Sequence, residues 1–177
     1  RIVLASRPAA EPTTANFRLE EVALAPLEDG QVRVKHHYLS LDPYMRGRMN
    51  DAKSYAQPQP LNETMIGGTV GEVVESRNPK FSVGDKVVGM GGWQQYSTAS
   101  GKGDISKVDT THIPLSAYLG SVGMPGMTAW YGLMKICEPK AGETVCVDAA
   151  SGAVGSVVGQ LAKLKGMHVV GIAGGVE

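Results

Sequence analysis

Hydrophobic positions change their period at Pro114. Before it, apolar residues come in short runs bounded by Gly, Pro, Asn and Asp. Val32-Arg-Val-Lys-His-His-Tyr38 alternates over its first half, and Gly68-Thr-Val-Gly-Glu-Val-Val-Glu75 and Lys86-Val-Val-Gly-Met90 repeat the β-branched theme. Such runs predict strands, and Ser82-Val-Gly-Asp85 between the last two predicts a turn. The first 113 residues therefore predict a small, partly open β-barrel. From Pro114 to Ile136 the spacing becomes helical, with an interruption around Gly120 to Gly126. Glu143-Thr-Val-Cys-Val-Asp148 then predicts a strand. Ser156 to Lys165 predicts an amphipathic helix through Val157, Val158, Leu161, Ala162 and Leu164, and His168-Val-Val-Gly-Ile-Ala173 a second strand. Ala56-Gln-Pro-Gln-Pro60 predicts a surface loop inside the first region.

The turn between the last two strands carries chemistry. Ala150-x-Gly152-x-x-Gly155 is the G-x-G-x-x-G pattern with alanine at its first position, set between a strand and a helix. Pyrophosphate is anionic and binds backbone N–H groups at a helix N-terminus, where the helix dipole also favours it. Small side chains at Ala150, Gly152, Ala153, Val154 and Gly155 let the backbone come close. Gly152 serves the approach to phosphate, and Gly155 the packing of helix on strand, which Gly159 extends. An NAD site places Asp or Glu about 20 residues further on, to hold the ribose 2′-hydroxyl. Here that place falls on Gly174, between Ala173 and Gly175. The missing carboxylate leaves room for a 2′-phosphate and favours NADP over NAD. Glu177 is expected to enter the next helix.

Charge and composition narrow the partners. Seventeen basic residues balance 17 acidic ones, and no basic run points to nucleic acid. The hydrophobic fraction of 42% suffices for a core, yet no run approaches the roughly 20 apolar residues of a membrane helix. Arg1-Ile-Val-Leu-Ala-Ser6 is too short an apolar core for a signal peptide. The two cysteines, Cys137 and Cys146, form no metal or redox pattern; Cys146, inside a strand, is expected in the core and Cys137 to be inert, which fits a cytoplasmic setting.

Three longer motifs carry a family resemblance. Tyr38-Leu-Ser-Leu-Asp-Pro-Tyr-Met-Arg-Gly-Arg-Met49, Gly123-Met-Pro-Gly-Met-Thr-Ala-Trp-Tyr-Gly132 and Ala149-Ala-Ser-Gly-Ala-Val-Gly-Ser-Val-Val-Gly-Gln160 follow in that order. Together they resemble the zinc-independent medium-chain dehydrogenases/reductases, in the branch of leukotriene B4 dehydrogenases/prostaglandin reductases. The resemblance implies a mixed α/β chain: a GroES-like β-barrel substrate domain over residues 1–120, then the first βαβ unit of an NADP-binding Rossmann domain over 121–177. It implies NADPH-dependent reduction of the C=C bond of an enone or alkenal, and a homodimer. Tyr44 would line the substrate pocket and could hydrogen-bond the carbonyl; Met124 and Thr128 would lie along the nicotinamide. Arg46 and Arg48 are expected as structural ion-pair formers, and no residue is assigned as proton donor.

The zinc-dependent branch of the superfamily carries a Cys in the region of Leu41-Asp-Pro-Tyr44 and a Gly-His-Glu in that of Met65-Ile-Gly-Gly68; neither ligand is present here. His36, His37, His112 and His168 lack ligand partners at useful spacing, so no metal is expected. Two alternatives stay open: a quinone reductase of the same superfamily, and a non-enzymatic binding module with the same fold. A sheet of two parallel strands and one crossover helix cannot cover both its faces. The chain is therefore expected to be the N-terminal piece of a longer reductase, inactive and poor at binding NADPH by itself.

Overall fold

The computed structural model describes residues 1–175, so the expectation for Glu177 lies outside the described residues. The chain forms two compact units, the first Arg1–Leu115 and the second from Ser116 onward. In the first unit β1 (Ile2–Leu4) pairs antiparallel with β2 (Phe17–Leu19). A five-stranded antiparallel sheet follows, built from β3 (Val32–Leu39), β4 (Thr69–Ser76), β5 (Lys86–Gly89), β6 (Tyr96–Ala99) and β7 (Ile105–Lys107). Its spatial order is β6-β3-β4-β5-β7. This curled half-barrel is the GroES-like architecture expected. The turn between β4 and β5 closes where the sequence placed it: the Asp85 carboxylate accepts the Ser82 amide at 2.7 Å, and the Ser82 carbonyl accepts that of Asp85 at 3.1 Å.

Two buried clusters hold this unit. Val32, Val34, Val73, Phe81, Val87, Ala99 and Ile105 fill the inside of the sheet. Leu4, Met45, Met49 and Met65 form the second cluster, against which Phe17, Tyr44 and Trp93 pack. Fully burying one such side chain contributes about 1.5–3 kcal/mol. β3 does not alternate cleanly in burial, because Arg33 is also buried, its guanidinium donating to Thr98 Oγ1 at 2.7 Å and to the Ala25 carbonyl. The β3–β4 register slips twice, between Arg33 and Val34 and between His36 and Tyr38. Gly71 makes the second slip possible, since a Cβ there would lie 2.2 Å from the Lys35 carbonyl oxygen. The proline-rich loop is surface at Tyr55 but anchored at Gln59, whose buried amide bonds the Thr64 carbonyl and the Ile66 amide.

A 3₁₀ turn (Leu115–Leu119), beginning on the last residue of the first unit, precedes α2 (Met124–Tyr131) of the second; the short α1 of the first unit is Tyr44–Arg48. A π-helical turn, Gly132–Cys137, continues α2, and Glu138 in left-handed conformation ends it. β8 (Thr144–Val147), α3 (Gly155–Leu164) and β9 (His168–Gly171) then form a βαβ unit, with β8 and β9 parallel. Leu133, Ala162 and Met167 are its buried core, with Met134, Val145, Val158 and Leu161 around them. All four residues of β9 are exposed.

Candidate functional site

The glycine turn is shaped by one backbone oxygen. Ala149 adopts φ 49°, a conformation that L-residues other than glycine seldom take. Its carbonyl accepts the Gly152 amide at 2.8 Å. The Ala150 amide donates to Ile172 O at 2.9 Å, which ties the turn to the end of β9. A Cβ on Gly155 would come within 2.3 Å of the Ala149 oxygen, whereas one on Gly152 would stand 3.1 Å from it. Gly155 is therefore demanded by packing, and Gly152 tolerates more. Gly159 demands nothing, because a Cβ there would make ordinary contact with Val169 at 3.7 Å.

The helix begins at Gly155 with Val154 before it and no side-chain cap. Ser156 N bonds Gly152 O at 3.0 Å, and Val158 N bonds Val154 O at 3.0 Å. The amides of Ala153, Val154 and Gly155 meet no backbone acceptor among the described residues. Uncapped N–H groups at a helix start form an anion cradle. Ala153, Val154 and Gly152 are exposed beside it, and Ala150 half-buried. Gly174 is exposed too, with open space where a side chain would stand.

The structure brings Met124 and Thr128 together one turn apart on α2. The Thr128 hydroxyl donates to the Met124 carbonyl at 2.8 Å, so only its lone pairs remain for a ligand. Met124 is 57% exposed. Gly126, between them, has no room for a side chain, since a Cβ would lie 1.8 Å from the Ser121 carbonyl oxygen.

Tyr44 belongs to the first unit and opens α1. Partial burial pushes its phenol above the ordinary tyrosine range, and the Asp42 carboxylate adds to the shift while Arg48 opposes it. A phenol so placed stays protonated at neutral pH and can donate a hydrogen bond. The Ser40 hydroxyl donates to Asp42 Oδ1 at 2.9 Å and steadies that carboxylate.

Two expectations need correction. Arg46 is not an ion-pair former: its guanidinium bonds the carbonyls of Ala10 and Pro8 and the Asn50 side chain. Arg48 also pairs with no carboxylate among the described residues, and its buried Nε finds no partner there. Cys146 is not a core residue but exposed, like Cys137. The period-2 pleat points Val145 and Val147 inward and Cys146 to the other face of β8, which is uncovered among the described residues.

The histidines are dispersed. His36 Nε2 meets Ser97 Oγ at 2.9 Å, and burial, with a smaller push from His37, lowers its pKa to about 4. His37 Nε2 stands 3.6 Å from Glu72, and His112 and His168 are exposed. No group of three His, Cys, Asp or Glu side chains could hold a metal among the described residues. In the region where the zinc branch has Gly-His-Glu, Gly67 is roofed by apolar atoms. A Cβ on it would meet Leu39 Cδ1 at 2.7 Å and Met45 Cε and Trp93 Cδ1 at 3.1 Å.

The left-handed Ala149 and the bonds of Arg46 were not foreseen. Nothing in the sequence marks either, since one is a backbone angle and the other a contact across 36 residues.

Residues 1–108 match the family model described as the N-terminal domain of oxidoreductase. NADPH-dependent curcumin reductase of Escherichia coli (strain K12) is 52% identical over all 177 residues, which cover 51% of that protein. Prostaglandin reductase 1 of Oryctolagus cuniculus is 46% identical over 94% of this chain and 46% of its own length. The crystal structure of CurA in complex with NADPH, from Vibrio vulnificus, superposes with a TM-score of 0.93 at 48% identity. It covers 99% of this chain and 52% of that one. The chain spans about half the length of the curated relatives it matches.

Proposed function

Because the chain belongs to the zinc-independent medium-chain dehydrogenase/reductase family, we propose that the whole protein uses NADPH to reduce the C=C bond of α,β-unsaturated ketones or aldehydes. One observation carries the reading. The chain aligns end to end with NADPH-dependent curcumin reductase and with the NADP(+)-dependent 2-alkenal reductase of Nicotiana tabacum, 42% identical, while its strand–turn–helix offers an anion cradle in the matching fold.

The residues divide the work. The amides at Ala153, Val154 and Gly155 hold the pyrophosphate, and Ala150 and Gly152 let it approach. Gly174 leaves the 2′-phosphate unopposed by a carboxylate. Met124 and Thr128 flank the nicotinamide. Bound NADPH supplies the hydride that the β-carbon of the substrate receives. Tyr44 donates a hydrogen bond to the substrate carbonyl, whose oxygen gains negative charge as the enolate develops; an oriented donor there lowers the barrier. The proposal gives no metal a part: in the region where the zinc branch has its histidine ligand, the chain has Gly67 under the apolar ends of Leu39, Met45 and Trp93. A homodimer in the cytoplasm completes the proposal. Among the described residues no helix is long and apolar enough to cross a membrane.

NADPH oxidation by the whole protein against a panel of enones, alkenals and quinones, with NADH as control, tests this. Enone- or alkenal-dependent oxidation with NADPH preferred is expected. Faster turnover with NADH overturns the cofactor assignment, and quinone-only turnover overturns the substrate class. The 177-residue chain alone is expected to show no enone-dependent NADPH oxidation.

A further inference from the structure

Two segments far apart in sequence exchange arginines. From the middle of α1, Arg46 Nε and Nη2 donate to the carbonyl oxygen of Ala10 at 3.2 and 2.7 Å, and Nη2 reaches that of Pro8 at 3.5 Å. Its remaining nitrogen, Nη1, donates to Asn50 Oδ1 at 2.7 Å. In the other direction, Arg7 Nη1 donates at 2.8 Å to the carbonyl of Met49, the residue that closes α1. Both guanidinium groups donate to neutral oxygens.

This exchange matters because α1 cannot hold itself. Five residues are far too few for a stable isolated helix. It starts from Pro43 without a side-chain cap. Its last carbonyls need donors from outside; Arg7 supplies one, and the Gln59 amide another, to Arg48 O at 2.6 Å. Met45 and Met49 fasten one face to the methionine cluster, and the clamp fastens the helix to the segment Arg7–Ala10. Tyr44 is the first residue of the helix so held.

We propose that Arg46 is a positioning residue for Tyr44, locking α1 and the segment Arg7–Ala10 into one body so that the phenol meets the substrate carbonyl at a fixed place. The inference rests on the reading of Tyr44 as the carbonyl donor. A planar guanidinium serves two carbonyls and an amide together, whereas lysine offers only a compact charge on a flexible stem. Substrate binding, and not cofactor binding, should register its loss.

Steady-state enone reduction by the whole protein decides this, using Tyr44→Phe, Arg46→Met, Arg46→Lys and the Tyr44→Phe/Arg46→Met double variant. Hydrogen exchange of α1 and of residues 7–10 is read alongside. Arg46→Met should raise the enone KM about tenfold, with a smaller change in kcat and the NADPH KM within about twofold. Arg46→Lys should fall between it and the parent, and the double variant should be no worse than Tyr44→Phe. Exchange should quicken in α1 and at residues 7–10 together. Effects that multiply in the double variant, or faster exchange with an unchanged enone KM, overturn the positioning role and leave Tyr44 standing. An unaltered enone KM in Tyr44→Phe overturns the reading of Tyr44 and the positioning role with it. Should Arg46→Met fail to fold, an enone KM in Arg46→Lys equal to the parent's overturns the role.

Discussion

A Cβ on Gly155 would stand 2.3 Å from the carbonyl oxygen of Ala149, an oxygen already engaged by the Gly152 amide. The two residues carry complementary demands. Ala149 takes a backbone angle suited to glycine, which tucks its carbonyl under the start of α3, and Gly155 gives up a side chain to make room. Gly155→Ala should therefore cost about 2 kcal/mol, while Gly152→Ala costs less than about 1 kcal/mol. Ala149→Gly should stabilise by roughly 0.5–1 kcal/mol by relieving the positive φ. Urea midpoints of the three variants check this, and equal losses at Gly155 and Gly152 would refute it.

His36 should make the fold acid-sensitive in a defined window. Burial lowers its pKa from 6.5 to about 4 in the folded chain. Above pH 6.5 the imidazole is neutral in both folded and unfolded chains, and stability does not depend on it. As pH falls from there toward about 4, the unfolded chain takes up the proton first, and stability is lost. Below that, both states are charged and the loss levels off. His36→Gln should flatten the fall in urea midpoint between pH 7 and 5 relative to the parent; an unchanged slope would assign it to other groups.

Much of this was legible in the sequence, and what was not has physical reasons. Strands β3, β4, β5, β8 and β9 and the helix α3 declared themselves through β-branched runs, turn residues and helical spacing. β1, β2, β6 and β7 did not; Phe17-Arg-Leu19, Tyr96-Ser-Thr-Ala99 and Ile105-Ser-Lys107 are short and carry no run of β-branched apolar residues. The π-helical turn escaped because an i→i+5 bond such as Glu138 N to Leu133 O leaves no mark in hydrophobic periodicity. At the site, glycine spacing marked the turn, but not how strictly each glycine is required. Gly155 is compelled by the Ala149 oxygen, whereas Gly159 only touches Val169. Arg46 read as an ion-pair former because charge is visible in a sequence and a distant carbonyl is not.

Arg33 should hold the irregular stretch that precedes β3. Its side chain is buried and donates to the Ala25 carbonyl and to Thr98 Oγ1. Arg33→Met should cost about 1–2 kcal/mol, as acceptors lose their donor. Limited proteolysis should then cut residues 20–26 faster than in the parent. Unchanged cleavage there would show that Leu27, itself buried, is anchor enough.

Metal chelators should leave the protein untouched. With Leu39, Met45 and Trp93 closed over Gly67, neither thermal stability nor the proposed NADPH-dependent reduction by the whole protein should respond to EDTA or phenanthroline. Activity lost to a chelator and regained with zinc would overturn the metal-free reading.

The exposed β9 has a consequence for handling the chain. Its outer edge carries no partner strand among the described residues, and Val169 and Val170 are open to solvent. Free N–H and C=O rows beside apolar side chains are a template for adding another strand. Preparations of these 177 residues should grow stickier with concentration, and the growth should slow when Val170→Lys puts a charge on that edge. Any oligomer counted in such a preparation measures the adhesiveness of an open ladder, and not how two copies of the whole protein would meet.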